Sequence, residues 1–141
     1  MSSAAPPPSA STAPAKTYSV VAFLKRKPGL TPDEFYHHWV NVHGPLVRPW
    51  AVKHGFLEYR QIHLKPAVNA DRPVVGPEKA GVNTELQNWD GCATFELASL
   101  DAFTAAFQDP YYQTVIAKDE DKFVDKAAGV MRRYGELNRI V

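Results

Sequence analysis

Five histidines give this chain its best means of acid–base chemistry. A neutral imidazole titrates near neutral pH, so it can take a proton from a substrate and later return it. His43 follows Trp39 by four residues and lies about 60° from the centre of the apolar stripe of a predicted helix, at roughly 100° per residue. It also precedes the pair 44–45, where proline interrupts helical hydrogen bonding and unpaired backbone groups often mark a pocket wall. We therefore expect either a hydrogen-bonded core histidine or an acid–base residue at position 43, with His38 on the other shoulder of the stripe.

A second group of polar side chains lies on a predicted strand. Tyr59 and His63 share one face of it, and if that face looks toward the helices, both side chains converge with His43 on one cavity. Asp90 is the carboxylate we expect to orient an imidazole there, although its place before Gly91 is equally typical of a bulge or a strand start. The sequence thus predicts His43, His63 and Asp90 as a catalytic set.

Other kinds of site have no pattern in this sequence. There is no HExxH and no histidine–carboxylate triplet spaced for a metal, and no GxGxxG or P-loop to hold a nucleotide, so we expect neither metal nor cofactor. No GxSxG occurs, and Cys92, the single cysteine, lies in mid-strand, where a packing role is expected. The acidic run at 118–122 is typical of a solvated helix face, with the pair 119–120 on a pocket rim as the alternative.

The elements that must position these residues follow from periodicity and breakers. The sequence predicts strands at 18–25, 56–64, 89–97 and from 129, a helix from a capping box at 31–34 to Gly55, and helices starting at Ser99 and at 109–110. The order β-α-β-β-α-β predicts a ferredoxin-like α+β fold, a four-stranded antiparallel sheet covered by helices on one face. The first strand is apolar on both faces, since Val20, Ala22 and Leu24 alternate with Val21 and Phe23. We therefore expect a homodimer joined through the uncovered face.

Composition sets the outer limits. With 141 residues, 45% hydrophobic and 22% charged, the chain is predicted to hold one globular domain at 16–141, after a disordered tail of Ala, Pro, Ser and Thr at 1–15. A net charge of +1 without a basic stripe argues against nucleic acid as a partner. The absence of an apolar run of about 18 residues argues against a membrane. No targeting signal is recognisable, so a cytoplasmic location is the default expectation. The long connection at 65–88 is expected to act as a lid or flap.

Three segments of the chain resemble the fungal branch of the EthD-domain family. The first segment, at 28–45, contains PGLTPDEF, then Trp39 and the motif HGP at 43–45. The second is WDGCA at 89–93. The third, at 109–125, begins with DPYY and ends with DEDKFVD. The resemblance implies a dimeric α+β barrel, with substrate bound between the sheet and the helices of one subunit. It also implies an acid–base role for His43, in the HGP motif, with His63 as a partner on a strand. Fungal members are assigned as decarboxylases or dehydratases of aromatic polyketides.

The resulting hypothesis is a cofactor-independent lyase that acts on an aromatic or polycyclic polyketide by histidine acid–base catalysis. Flat apolar walls suit such a substrate, and ordinary core packing is the alternative role for the same side chains. The residues concerned are Tyr36, Trp39, Tyr59, Trp89, Phe95, Tyr111 and Tyr112. A cofactor-free oxygenase of anthrones, a polyketide cyclase or isomerase, and a non-catalytic binding protein of the same fold remain alternatives, because the sequence does not separate them.

Overall fold

The computed structural model describes residues 16–65 and 89–141, and there the elements follow the predicted order β-α-β-β-α-β. The bounds are β1 (Thr17–Leu24), α1 (Pro32–His38), a first π turn (Trp39–His43), α2 (Gly44–Lys53), β2 (Glu58–His63), β3 (Gly91–Leu97), α3 (Leu100–Ala106), a second π turn (Tyr112–Ile116), α4 (Ala117–Phe123) and β4 (Met131–Leu137). The predicted tail at 1–15 and all of the predicted lid except Lys65 lie outside the described residues. None of the described helices is long and apolar enough to cross a membrane.

The four strands form one antiparallel sheet in the order β2-β3-β1-β4, so the predicted ferredoxin-like α+β fold is confirmed. β1 is central, with Ala22 opposite Ala93 of β3 on one side and opposite Arg132 of β4 on the other. Ala22 and Ala93 pack into the core beneath the helices. Since side chains alternate along a strand, Val21 and Phe23 lie on the opposite face of the sheet.

The first long helix begins at the predicted capping box. Thr31 Oγ1 accepts the Glu34 amide at 3.1 Å, and the Thr31 amide donates to Glu34 Oε1 at 2.8 Å. The predicted break at Pro45 takes the form of a widened turn: the Gly44 amide donates to the Trp39 carbonyl, and α2 then starts with proline in its first turn. A proline there is tolerated because the first amides of a helix have no partner within it. The helix ends at Lys53, and the chain turns away at Gly55, whose φ of +75° suits glycine.

The core lies between the sheet and the helices, and a close contact in it explains why β3 starts with glycine. Trp39 and Phe35 pack there with Phe123 and Ala22, all nearly inaccessible to solvent. A Cβ atom on Gly91 would lie 2.5 Å from Cζ3 of Trp39, far inside van der Waals contact. The indole can therefore lie flat over the start of β3 only because Gly91 has no side chain.

No described helix covers the other face of the sheet. Ile62 and Met131 are exposed large apolar side chains on that face, in register with Cys92 and Phe23 respectively. All seven residues of β4 are exposed. This arrangement leaves apolar surface of the kind that subunit contacts usually cover.

Candidate active site

Both π turns line one small cavity between the sheet and the helices. The first contributes Trp39 and His43, and the second contributes Tyr112 and Ile116. The cavity has a volume of about 60 Å³, enough for a few water molecules. Single π turns inside α-helices are rare and often occur at functional sites. The sequence pattern placed His43 beside a helix break, and the structure places that break at the cavity wall.

His43 is held in one orientation by a carboxylate. Its side chain is buried, at 5% exposure, and Nδ1 lies 2.8 Å from Oδ2 of Asp119. Since an ionised carboxylate only accepts hydrogen bonds, Nδ1 carries the proton in the neutral ring. Asp119 is not among the cavity residues, whereas His43 is. Nε2 is therefore the basic nitrogen available to the cavity.

Asp119 binds a second imidazole as well. The His38 Nε2–H donates to both carboxylate oxygens, at 3.0 and 3.1 Å, and Asp119 itself is only 4% exposed. Both imidazole rings pack against Phe123, with centroids 4.8 Å apart in each case. The aspartate lies in α4, where sequence analysis favoured a solvated face. The signal for its burial was its spacing, because it precedes the fully buried Phe123 by four residues and so shares its helix face.

The enclosure of His43 sets its charge. Burial lowers the pKa of His43 below 6.5, while the hydrogen bond to Asp119 and the nearby charges of Glu120 and Asp119 oppose that shift. The lowered pKa means that the ring is mainly neutral near pH 7. A neutral ring with Nε2 facing the cavity is competent to accept a proton, and Asp119 can stabilise the imidazolium that results.

Two phenols and a guanidinium complete the polar lining together with Glu120. The Tyr112 hydroxyl donates to Glu120 at 3.2 Å, and burial and that carboxylate raise the pKa of Tyr112. Burial also raises the pKa of Tyr59, whose oxygen accepts the Gln61 amide at 3.1 Å. Both phenols therefore stay protonated across the neutral range. The cavity thus combines one base with two neutral hydroxyl groups and with Arg132 from β4.

His63 does not join this cavity, contrary to the predicted convergence. It lines an open groove of about 760 Å³ between β2 and α2, and its ring stacks on Tyr36 and Trp39 with centroids 5.1 Å apart in both pairs. Its Nε2 lies 3.0 Å from Oε1 of Gln61. The reason is that Trp39 fills the space between the two histidines: it lines the cavity and also stacks on His63.

Asp90 also has a different role from the predicted one. Its carboxylate accepts the Arg26 amide at 2.8 Å and the Arg26 Nε–H at 3.3 Å. Its own amide donates to the Leu24 carbonyl at 2.8 Å. These bonds join the ends of β1 and β3, as expected for a strand start, and the carboxylate that contacts the His43 imidazole is that of Asp119.

The predicted aromatic walls divide into two groups. Trp39, Tyr59, Phe95 and Tyr112 line the cavity. Outside it, the hydroxyl of Tyr36 donates to the Leu64 carbonyl and that of Tyr111 to the Leu46 carbonyl, while Trp89 packs on Phe23 with centroids 6.3 Å apart. The strand predicted at 89–97 begins only at Gly91, so Trp89 precedes it. Within the two described stretches, no three His, Cys, Asp or Glu side chains are grouped to hold a metal ion.

The sheet order defines a ferredoxin-like α+β domain, and a histidine–carboxylate pair is enclosed beneath its helices. The chain belongs to the EthD domain family, which matches residues 27–127.

Named relatives and a solved structure are similar to this chain. The dehydratase ustZ of Ustilaginoidea virens is 28% identical over 100 residues, 71% of this chain and 69% of that protein. The decarboxylase nsrE of Aspergillus novofumigatus is 27% identical over 101 residues, 71% of this chain but only 64% of the relative, less than two thirds of its length. A dimeric protein of ferredoxin-like fold from Bacteroides fragilis superposes with a TM-score of 0.54 at 10% identity, covering 86% of this chain and 96% of that one.

Proposed function

We propose that this protein is a cofactor-independent lyase, a decarboxylase or dehydratase of an aromatic polyketide intermediate, with His43 as its acid–base residue. The observation that carries the proposal is the buried pair of His43 and Asp119, whose free ring nitrogen is available to the cavity. The relatives named dehydratase and decarboxylase support the reaction class. The apolar, aromatic lining supports a flat carbon skeleton as substrate.

The same nitrogen serves either reaction. In a dehydration, Nε2 of His43 removes the proton next to a carbonyl, and the imidazolium that forms returns a proton to the departing hydroxyl, which leaves as water while the ring becomes neutral again. In a decarboxylation, CO2 leaves with the bond electrons on carbon, and the His43 imidazolium delivers the proton that completes the product. Each such transfer contributes a factor of roughly 10²–10⁴ to the rate. His63 takes no part in this scheme because it lies on the far side of Trp39.

The size of the cavity limits how the substrate binds. Ligand pockets for drug-sized molecules usually measure about 300–1,000 Å³, far more than this cavity of about 60 Å³. Only the reacting end of a polycyclic substrate can therefore enter it while the side chains keep these positions. The rest of the skeleton lies outside the enclosed volume.

The test is product analysis with a panel of ortho-hydroxy aromatic acids and aromatic β-keto acids and alcohols, of one to four rings. We expect CO2 or water to be released with and without oxygen, and deuterium from D2O to appear at the reacting carbon if the reaction is a decarboxylation. His43→Gln should lose turnover. His37→Gln is the matched control, because His37 is exposed and its ring contacts Asn41 alone among the described polar side chains. Equal rates for both variants would overturn the proposal, and turnover that stops without oxygen would point to an oxygenase.

We further propose that two copies pair through the uncovered face of the sheet. Its exposed apolar residues, including Ile62 and Met131, support this, as does the dimeric state of the Bacteroides fragilis protein. Light scattering should give the mass of a dimer, and Met131→Asp should shift it toward a monomer. A monomer in the unaltered protein would contradict the pairing and leave the lyase proposal standing.

A further inference from the structure

The lining of the cavity includes a cation, Arg132, that forms no ion pair with the other described residues. Arg132 lies opposite Ala22 in the sheet, on the face that packs against the helices, and it lines the cavity. Its guanidinium carbon lies 5.3 Å from the ring centre of Phe107. Within residues 16–65 and 89–141, no carboxylate oxygen lies within 4.0 Å of its nitrogens, whereas the other cavity charge, Glu120, already contacts Tyr112 and Lys126. The guanidinium also interacts with the Tyr112 hydroxyl, where its charge acts to lower the pKa of the phenol. Since that partner is neutral, Arg132 can still pair with an anionic ligand.

The surface next to Arg132 is exposed to solvent. Tyr134 lies two residues further along β4, on the same face, and its side chain is 68% exposed. The helices thus leave this side of β4 uncovered next to the small cavity that lies beneath them. A substrate whose reacting end enters the cavity has room for its remaining rings only outside, and this strip of Arg132, Phe107 and Tyr134 offers aromatic surface for them.

We propose that Arg132 selects the substrate by binding an anionic oxygen on it at the cavity wall, which makes the ligand class planar aromatic anions. This inference rests on the proposed function in one respect, namely that the substrate binds in the same cavity. The guanidinium is planar, always charged and able to donate two parallel hydrogen bonds to one acidic group.

The group bound by Arg132 is an anchor and differs from a carboxylate lost in the reaction. An ion pair stabilises a carboxylate, so pairing it with arginine would oppose the loss of CO2. The reacting carbon must instead lie at His43, whose ring packs on Phe123 and not on Phe107. The anchor is thus an ionised phenol or a second carboxylate, placed away from the reacting centre.

The test measures binding without turnover, using 2-naphthoate and the uncharged 2-naphthamide of the same shape, by naphthalene fluorescence. We expect the protein to bind naphthoate about tenfold more tightly than naphthamide, the effect of one charge-assisted contact. Arg132→Gln should abolish that preference and Arg132→Lys should keep part of it. Arg133→Gln, the matched control from the other face of β4, should keep all of it.

A titration of 2-naphthol through its own ionisation distinguishes the two anchors. Tighter binding of the ionised form that depends on Arg132 assigns the phenolate, and a preference confined to naphthoate assigns the carboxylate. Equal affinities for naphthoate and naphthamide, no binding of naphthoate at millimolar concentration, or equal losses in Arg132→Gln and Arg133→Gln would overturn the inference. The lyase proposal is tested separately, because its test measures turnover by the His43→Gln variant, whereas the Arg132 test measures binding alone.

Discussion

The two histidines on either side of Trp39 differ in what holds them and in what surrounds them. His43 is enclosed, and its Nδ1 lies 2.8 Å from a buried carboxylate. His63 lies in an open groove, between the rings of Tyr36 and Trp39, and its polar contact is the neutral amide of Gln61 at 3.0 Å. Both came from the same sequence argument, so the residue type alone did not distinguish them. The comparison teaches that two histidines with similar sequence signals can differ in hydrogen-bond partner and enclosure, which is why the proposed acid–base role falls to His43.

The two histidines differ in the charges that act on their rings. Burial lowers the pKa of both rings, and Lys65 lowers that of His63 further. Only at His43 does a carboxylate oppose this effect. A proton taken up by His43 is therefore stabilised by Asp119, while His63 gains a charge beside a lysine. The asymmetry leads to four predictions, from the largest effect to the smallest.

Asp119→Asn should cause the largest effect of the four, because it makes the partner of His43 neutral like that of His63. The amide can donate a proton to the ring and so favour the wrong tautomer, which turns the basic nitrogen away from the cavity. We expect turnover to fall by roughly 10²–10⁴-fold. Asp121→Asn is the matched control, since Asp121 is exposed on the same helix and pairs with Lys126. If both variants retained normal rates, the carboxylate would have no positioning role.

The pH dependence of kcat/KM should show one limb with a midpoint below 6.5, since the pKa of His43 is lowered. Its direction depends on the reaction. A dehydratase uses the neutral ring, so the rate should fall about tenfold per unit as pH drops below the midpoint. A decarboxylase uses the imidazolium, so the rate should instead fall as pH rises above it. Asp119→Asn should move this midpoint to still lower pH, because the carboxylate of Asp119 raises the pKa of His43. In the unaltered protein, a midpoint above pH 6.5 would contradict the expected effect of burial on His43.

Sequence periodicity predicted the elements well because each has a strong local cause. The capping box at 31–34 and the strand at 89–97 depend on neighbouring residues; the capping box was confirmed, and a strand was found at Gly91–Leu97. The partner of His43 could not be found this way, since Asp119 is 76 residues distant and meets it only through helix packing. Trp39 is the other long-range element: nothing local shows that its ring separates the two histidines. Local patterns thus predicted the framework and the place of His43 at a helix break, but its contact with Asp119 and the position of His63 outside the cavity depend on tertiary contacts.

Gly91→Ala tests the wall between the two histidines. The new methyl group would lie 2.5 Å from the Trp39 ring, so the indole or β3 must shift. Overpacking of this kind lowers the free energy of unfolding by about 1–3 kcal/mol, and denaturant unfolding can measure that loss. Gly135→Ala is the control, because a Cβ there meets nothing within 4 Å. Equal stability of the two variants would mean that the ring has more freedom than its packing indicates.

His63→Gln should have the smallest effect on turnover. Glutamine keeps a donor for the Gln61 carbonyl oxygen, and the enclosed pair of His43 and Asp119 makes no contact with position 63. What is lost is the stacking on Trp39 and Tyr36, so the expected cost is about 1 kcal/mol of stability, measured by denaturant unfolding. The rate should stay within about threefold of the unaltered protein, since no proton transfer, worth roughly 10²–10⁴-fold, is removed. A loss as large as that of His43→Gln would show that the groove and the cavity act on one substrate, and the distinction between the two histidines would then be wrong.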